Sequence, residues 1–251
     1  MSLADDYKRQ FPWRPWPEIF AALPPLDGRT VLDLGCGPGD QAAQLAARGA
    51  RVIGLDMNEE LLREARARGI AGAEFRRADL RAGLDLGVAV DGIWSSFGAA
   101  FFPDLSAALR AWSRCLVPGG WIALTEIDDL FGHEPLGEEA RGLLGGYVQD
   151  ALVAGRYDFR MGRKLREHLV GAGFTVEKEL ILEDRELAFD GPALAGVLDA
   201  WRDRLDRMQL LHVFCGDRFA ALRDEFLVCL ADPAHRSLAE VRCCIARKES
   251  A

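Results

Sequence analysis

Short apolar runs and helix-like segments alternate along the first half of the chain. The runs are rich in aliphatic and β-branched residues and predict strands at 31–35, 51–56, 73–79, 88–96 and 121–127. Between them, apolar residues recur at the spacing of an amphipathic helix, as at Leu105, Ala108, Leu109, Trp112 and Leu116. Repeated strand–helix units predict right-handed crossovers and a parallel sheet covered by helices on both faces. The first 127 residues therefore predict a doubly wound α/β core.

The second half of the chain departs from this alternation. We expect residues 134–172 to be largely helical, 175–189 to form a long strand, 191–231 to form one or two amphipathic helices and 237–248 to form a last strand. Two late strands separated by a helical insertion indicate an antiparallel hairpin at the edge of the sheet. The predicted fold class is α/β, with a doubly wound, mostly parallel seven-stranded sheet, helices on both faces and that antiparallel edge hairpin.

Composition and charge limit the class of partner. The chain has 251 residues, of which 49% are apolar and 28% charged, a mixture typical of a folded soluble protein. Its formal net charge of -8 disfavours nucleic acid and anionic membrane surfaces, because both bind basic faces. The cysteines show no metal-ligand spacing, which favours buried thiols in a reducing compartment over structural zinc. Without a signal pattern or a membrane-length apolar run, the expected location is the cytoplasm.

The sequence VLDLGCGPGD, from Val31 to Asp40, is a strand that runs into three glycines. Gly35, Gly37 and Gly39 give the spacing G-x-G-x-G, whereas the dinucleotide fingerprint is G-x-G-x-x-G. Asp40 stands where that fingerprint has its third glycine. A glycine loop after a strand indicates close approach of the backbone to a ligand, although a tight turn alone would also need glycine.

Carboxylates follow the early strands where an open α/β sheet binds its ligand. Asp56 ends the second strand and could accept hydrogen bonds from a ribose diol, while Asp79 follows the third and could accept one from an exocyclic amine. Met57 and Leu80 are available to cover a flat base, and Asp33 adds a third carboxylate near the glycines. These acids would repel a pyrophosphate but suit a ligand with an ammonium and a sulfonium. An adenosine-type ligand other than a dinucleotide is therefore indicated.

Together these motifs resemble those of the class I (seven-stranded, Rossmann-like) S-adenosylmethionine-dependent methyltransferases, in the small-molecule branch of that family. VLDLGCGPGD is similar to the family's first motif, VIGLDMN to the second, ADL to the third, VDGIWSSFGAAFFPD to the segment after strand four, and LVPGGWIALTE to the turn and fifth strand. The resemblance covers roughly residues 28–127, with the motifs in the family's order.

The resemblance implies a role for each matching position. The three glycines of the loop would pass close to the methionine part of the cofactor, Asp56 would hold the ribose, Asp79 and Leu80 the adenine, and Ser95 would approach the amino group. Structural alternatives stand beside these roles, since Asp79 could cap a helix and Asp33 could orient the loop through backbone amides.

Two departures from the family bear on the substrate. Members of the small-molecule branch often carry polar or histidine residues after strand four, where this chain has Ala100, Phe101 and Phe102. The Asn/Asp-Pro-Pro-aromatic motif of amino-methylating nucleic-acid enzymes and the Pro-Cys nucleophile of cytosine-C5 enzymes are both absent. DNA is therefore not the expected substrate.

Residues for the acceptor side lie outside these motifs. The N-terminal aromatic residues Tyr7, Phe11, Trp13 and Trp16 could close over the site or simply pack on the core. His133 follows the fifth strand, whose C-terminal end faces the pocket, and is the best placed of the histidines to act as a general base.

The sequence also predicts how the chain is divided. Residues 1–27 would form an N-terminal helical cap, 28–127 the cofactor-binding core, and 128–251 a C-terminal half that completes the sheet. Within that half, the helical insertion at 191–231 would serve as a substrate lid.

The expected function is transfer of a methyl group from S-adenosylmethionine to a small-molecule acceptor, with S-adenosylhomocysteine as product and no metal ion. A catalytically silent S-adenosylmethionine-binding module that regulates a partner is one alternative. An NAD-dependent oxidoreductase is another, and the glycine spacing disfavours it.

Overall fold

The structure is a computed structural model that describes residues 3–81, 84 and 87–249. In this part of the chain the strands are β1 (Thr30–Leu34), β2 (Arg51–Asp56), β3 (Ala73–Arg77), β4 (Val90–Ser96), β5 (Leu116–Asp128), β6 (His133–Glu134), β7 (Phe174–Leu182), β8 (Arg236–Ser237) and β9 (Glu240–Lys248). The α-helices are α1 (Leu3–Gln10), α2 (Trp16–Ala22), α3 (Asp40–Ala46), α4 (Glu59–Ala67), α5 (Leu105–Ser113), α6 (Glu138–Val153), α7 (Leu165–Gly171), α8 (Ala195–Arg207), α9 (Gln209–Cys215) and α10 (Phe219–Ala231).

Seven strands form one mixed sheet in the order β3-β2-β1-β4-β5-β9-β7. The pairs from β3 to β5 are parallel, while β9 runs antiparallel to both β5 and β7. The predicted class, including the antiparallel edge formed by the two late strands, is confirmed. The direction of strand progression reverses between β1 and β4, and this switch point opens a crevice at their C-terminal ends.

The central strands are apolar on both faces, as expected for a parallel sheet covered by helices on each side. Leu32 of β1 packs with Trp112 of α5 in one hydrophobic cluster. Val31, its neighbour in sequence, belongs with Trp94 of β4 to a second cluster on the other face. All four side chains are at most 1% exposed. Helices α2 and α5 are therefore held against opposite faces of the sheet.

A third hydrophobic cluster lies among the helices of the C-terminal half and reaches the main sheet at Ile127 of β5 and Val241 of β9. It includes Trp201 of α8 and Phe226 of α10, both almost fully buried. The short strands β6 and β8 pair with each other beside this cluster in a second sheet. None of the helices in the described residues combines the length and apolar character needed to span a membrane.

Several elements of the second half differ from the sequence prediction. The segment 134–172 is not one helical stretch, because the chain leaves α6 through Gly155 at a φ of +62° before α7 begins. Insertion 191–231 contains three α-helices, α8 to α10, where one or two were expected. The expected strand at 237–248 is shorter, since its first residue belongs to β8 and the ladder to β5 begins at Glu240.

The expected strand at 175–189 ends early, at Leu182. The strand ends there because of Asp184. The Oδ1 of Asp184 accepts hydrogen bonds from the backbone N–H groups of Glu186 at 2.8 Å and Leu187 at 2.7 Å. An aspartate that binds the backbone two and three residues onward stabilises a turn in place of a ladder. This turn brings the following residues toward the crevice of the main sheet.

Candidate functional site

A pocket of about 480 Å³ lies at the C-terminal ends of the central strands, beside the switch point. Three parts of the chain build its walls. Its lining includes Tyr7, Gln10, Phe11, Arg14 and Trp16 from the N-terminal segment, Gly35, Gly37, Asp56, Met57, Asp79, Leu80, Ser96, Phe97 and Phe101 from the core, and Leu130, Tyr157, Leu187 and Arg204 from the C-terminal half. Gly35, Gly37, Asp56, Met57, Asp79 and Leu80 were expected there from the sequence. Asp33, Gly39, Ser95 and His133 do not line it.

Asp56 is the last residue of β2, and its side chain binds the glycine loop that follows β1. Its Oδ2 accepts a hydrogen bond from the N–H of Gly37 at 2.9 Å, and its Oδ1 accepts one from the N–H of Asn58 at 2.8 Å. Gly35 and Gly37 have φ values of +75° and +52°, a region that strains any residue with a Cβ. Around the Cβ position of Gly35 no atom lies within 4 Å, so the loop presents open backbone there.

Gly39 has a packing role. At its φ of +82°, an added Cβ would stand 3.0 Å from the ring of Phe75 and 3.3 Å from the methyl group of Ala65. The third glycine is needed because the loop passes directly over β3 and α4, and the structure does not bring it to the pocket lining.

Asp79 and Leu80 follow β3 and line the same pocket as the glycine loop. The Oδ1 of Asp79 accepts a hydrogen bond from the N–H of Arg81 at 2.9 Å, which fixes the turn. The carbonyl of Leu80 accepts a longer bond, 3.4 Å, from Nε1 of Trp112. Met57 lines the pocket while its side chain is 65% exposed, so it can move over a bound ring.

Asp33 lies beneath the glycine loop as a buried acid, 2% exposed. Burial, followed by the charge of Asp56, raises its pKa to about 8. The Oδ2 atom of Asp33 is buried and has no hydrogen-bond partner. This carboxyl therefore supplies an unused acceptor next to the loop, and a nearby positive charge would favour its ionised form.

Ser95, which the resemblance predicts to approach the amino group of the cofactor, does not line the pocket, whereas the next residue, Ser96, does. The hydroxyl of Ser95 donates to the carbonyl of Leu34 at 3.0 Å within the sheet. Ser96 lines the pocket, and its buried Oγ has no partner. Successive side chains of a strand point to opposite faces, so the side chains of Ser95 and Ser96 lie in different environments.

His133 lies in the third hydrophobic cluster, with its ring centroid 5.6 Å from Trp201 and 5.5 Å from Phe226. Its Nδ1 is 3.0 Å from Nε2 of His235, whose own Nδ1 is 2.9 Å from the carbonyl of Gly191. His235 must donate to that carbonyl, so its Nε2 accepts and His133 donates. Burial, and then the charge of His235, lowers the pKa of His133 to about 3. His133 thus remains neutral and outside the pocket lining, in contrast to the general-base role expected for it.

A buried ion-pair network that sequence reasoning missed forms part of the pocket wall. Arg14 contacts Asp184 at 3.0 Å and Glu186 at 2.6 Å, and Arg204 of α8 contacts Glu186 at 2.5 Å. Burial alone would raise the pKa of Glu186, but the charges of Arg204 and Arg14 outweigh it and lower that pKa to about 2. The paired residues lie far apart in sequence, so no local motif predicted this ion-pair network.

Two tyrosines complete the wall. Tyr7 of α1 lies over the glycine loop, about 3.7 Å from where a Cβ on Gly37 would stand. Tyr157 contacts Phe101 and Phe159 edge-on, at 4.8 and 4.7 Å between ring centroids. Burial is the largest cause that raises the pKa of both phenols, so both stay protonated at neutral pH. No three acidic, cysteine or histidine side chains among the described residues are grouped so as to hold a metal ion.

Comparison with known proteins extends this description. The methyltransferase domain family matches residues 31–120. Trans-aconitate 2-methyltransferase of Azoarcus sp. is 39% identical over 109 residues, which cover 43% of this chain and 42% of that enzyme. Nocamycin O-methyltransferase of Saccharothrix syringae is 33% identical over 198 residues, 68% of each chain. An S-adenosylmethionine-dependent methyltransferase from Mesorhizobium loti shares the fold, with a TM-score of 0.57, 22% identity and coverage of 93% of this chain and 97% of that one.

The relatives differ in how much of their length matches this chain. The match spans about half the length of the trans-aconitate methyltransferases, from 42% to 58% of each. The match to the nocamycin enzyme continues beyond the motifs of the core into the C-terminal half, since 198 residues cannot fit within the core alone. The match to the nocamycin enzyme is both long and 33% identical, and the methyltransferase domain family matches the core. The chain therefore belongs to the class I S-adenosylmethionine-dependent methyltransferases.

Proposed function

We propose that this chain binds S-adenosylmethionine at the glycine loop and transfers its methyl group to a small-molecule acceptor. The observation that carries the proposal is the contact between two motifs, in which Asp56 accepts the N–H of Gly37 at 2.9 Å. Asp79 and Leu80 lie on the same pocket wall. Membership of the methyltransferase family supports the same function.

The pocket residues suit the parts of that cofactor. Gly35 offers open backbone for the methionine part, and Asp56 offers carboxylate oxygens for the ribose hydroxyls. Asp79 and Leu80 also line the pocket, and in this proposal Asp79 accepts a hydrogen bond from the adenine amine. Asp33 supports the fit independently, because its unpartnered Oδ2 and raised pKa suit a site that receives a positive charge.

When bound, S-adenosylmethionine supplies a methyl group on a positively charged sulfur, which is already a good leaving group. The chain's own task is to align the acceptor and exclude water, which can contribute about 7–11 kcal/mol to lowering the barrier. Phe11, Trp16, Phe97, Phe101 and Leu130 give the pocket the apolar walls that this requires. His133 has no part in this proposal, and we assign it a structural role in the third hydrophobic cluster.

The function can be tested by transfer of a labelled methyl group. Purified protein is incubated with methyl-labelled S-adenosylmethionine and either trans-aconitate, for which several relatives are named, or a bacterial metabolite extract. We expect a labelled product together with an equal amount of S-adenosylhomocysteine, as measured by mass spectrometry. Binding of the cofactor without a labelled product from any acceptor would instead support the catalytically silent regulatory module.

A further inference from the structure

Phe97, the residue that follows β4, has an unusual backbone conformation. Its φ is +55°, in the left-handed region that glycine adopts freely and that strains a residue with a bulky side chain. Apart from the glycines, the described residues include one other with a positive φ, Asp129 after β5. Aspartate tolerates this region better than an aromatic residue does. Phe97 is therefore the more strained of the two, and backbone strain of this kind is concentrated at ligand sites.

The turn after β4 makes its backbone contact without using the side chain at position 97. The N–H of Phe97 donates to the carbonyl of Thr125 at 2.8 Å, which holds the turn against β5. A glycine at this position would keep that bond and avoid the strain. The glycine stands instead at the next position, where a Cβ added to Gly98 would lie 3.3 Å from Oγ of Ser95. The aromatic ring at position 97 is thus kept in spite of the backbone strain.

Two side chains of the N-terminal segment hold the ring of Phe97 in place. The Trp16 ring packs against it edge-on, with 6.2 Å between ring centroids, and the guanidinium carbon of Arg14 lies 5.5 Å from its centre. Arg14 itself donates hydrogen bonds to the buried carboxylates of Asp184 and Glu186. The charge of Arg14 is therefore already balanced, and its contact with the ring helps to fix the orientation of Phe97.

The ring of Phe97 lies where the cofactor motifs meet the rest of the pocket. Phe97 lines the pocket directly after Ser96 and is half-buried, so part of it faces open space. Arg14 and Trp16 line the pocket as well, and neither belongs to a cofactor motif. Rigid alignment of the two reactants is the main contribution that such a pocket makes to methyl transfer. A ring fixed from two sides is suited to that task.

We propose that Phe97 is a specificity-determining residue, whose ring packs against the methyl acceptor, orients it toward the transferred methyl group and limits its size. This inference rests on the proposed function. It gives the ion pairs of Arg14 the task of holding Phe97, without direct contact between Arg14 and the acceptor.

The first test separates the ring from the backbone strain. Phe97→Ala removes the ring and keeps the strain, whereas Phe97→Gly removes both, so the glycine variant should unfold at a temperature about 2 °C higher than the alanine variant. Methyl transfer is measured with methyl-labelled S-adenosylmethionine and a bacterial metabolite extract of low molecular mass. We expect both variants to need about tenfold more extract for half-maximal transfer, with the affinity for S-adenosylhomocysteine kept. Recovery of the wild-type half-saturation in Phe97→Gly would make the ring a structural element and overturn the assignment.

The set of labelled products provides a readout that a purely structural role would not change. Without the ring the pocket is wider, so Phe97→Ala and Phe97→Gly should form labelled products from bulkier acceptors that the wild type does not methylate, as measured by mass spectrometry. Phe97→Leu restores apolar volume and should return the products toward the wild-type set. Identical products from the wild type and Phe97→Gly would overturn the assignment.

Asp129→Gly is the matched control. It relieves a positive φ at the end of the neighbouring strand, and Asp129 does not line the pocket. Its half-saturation and its products should therefore equal those of the wild type. If the wild type transfers methyl groups and the Phe97 variants keep its half-saturation, the inference about Phe97 fails alone. A wild-type protein that binds S-adenosylhomocysteine but forms no labelled product would defeat the proposed function as well.

Discussion

Asp56 is the residue on which the site depends most. Its two carboxylate oxygens hold the N–H groups of Gly37 and Asn58, so it fixes the glycine loop and the start of α4 at the same time. Hydrogen bonds to an ionised group each contribute about 1.5–3 kcal/mol. In Asp56→Ala we therefore expect the dissociation constant for S-adenosylhomocysteine to rise at least about tenfold in calorimetry.

A matched acid separates this effect from a general loss of charge. Glu60 lies in the first turn of α4 and does not line the pocket. Glu60→Ala should therefore leave the dissociation constant within about twofold of the wild-type value. Equal affinities in Asp56→Ala and Glu60→Ala would mean that Asp56 only supports the fold.

His133 allows a prediction about acid stability. Its pKa falls from 6.5 in the unfolded chain to about 3 in the folded protein, so its contribution to stability is complete above pH 6.5 and is lost as the pH falls toward 3. In His133→Gln this contribution to the pH dependence of stability is absent, because glutamine does not titrate. The difference in unfolding free energy, wild type minus variant, should shrink by up to about 1.4 kcal/mol per pH unit below that point.

Urea unfolding of both proteins at about pH 7 and about pH 5 measures this difference. The affinity for S-adenosylhomocysteine at neutral pH serves as the control, and it should be unchanged because His133 does not line the pocket. A free-energy difference that stays constant with pH would show that His133 titrates normally in the folded protein.

At the scale of single residues, the structure brings to the pocket those predicted residues whose position follows from local sequence. Asp56 and Asp79 could be found because each follows a strand whose C-terminal end must reach the crevice. Ser95 was expected to approach the amino group of the cofactor, and in the structure the next residue of β4, Ser96, lines the pocket. His133 was expected near the pocket because it follows β5, but β6 carries it into pairing with β8, about 100 residues later in the chain.

At the scale of elements, the connection between β7 and α8 is the part that most affects the pocket. It carries Glu186, which is fully buried between two arginines. Glu186→Gln would leave those guanidinium groups without their shared charge, and breaking a buried pair in this way costs about 3–5 kcal/mol. We expect a large fall in the midpoint of thermal unfolding.

The neighbouring Glu183→Gln is the control for this connection. Glu183 is exposed, so its substitution should change the unfolding free energy by less than about 0.5 kcal/mol. If Glu186→Gln proved as stable as Glu183→Gln, the buried network would not hold the connection in place.

Elements of the first half were more predictable than those of the second. The early strands are short runs bounded by turn residues, and β1 to β4 were each located to within about two residues of their observed ends. In the second half, the strand expected at 175–189 ends where Asp184 binds the backbone onward, and the helical segment 134–172 is interrupted at Gly155. Those breaks depend on side-chain contacts and backbone angles that hydrophobic periodicity does not reveal.

At the scale of the whole molecule, the pocket is assembled from segments that are distant in sequence. The N-terminal segment provides Arg14 and Trp16, the core provides the glycine loop, and the C-terminal half provides Tyr157 and Arg204. Recognisable motifs within one continuous stretch carry the glycine loop, Asp56 and Asp79, so these lining residues could be selected from the sequence. Arg14 and Arg204 meet at the pocket wall only once these distant regions have folded together, which is why no local pattern in the sequence indicated them.

Cofactor identity is the property on which every other assignment here depends, and isothermal calorimetry measures it directly. The purified protein is titrated with S-adenosylhomocysteine and, separately, with NAD. We expect S-adenosylhomocysteine to bind one site per chain with a dissociation constant in the micromolar range, about -8 kcal/mol, and NAD to give no binding heat. Tighter binding of NAD, or no binding of S-adenosylhomocysteine, would contradict the assignment of the pocket.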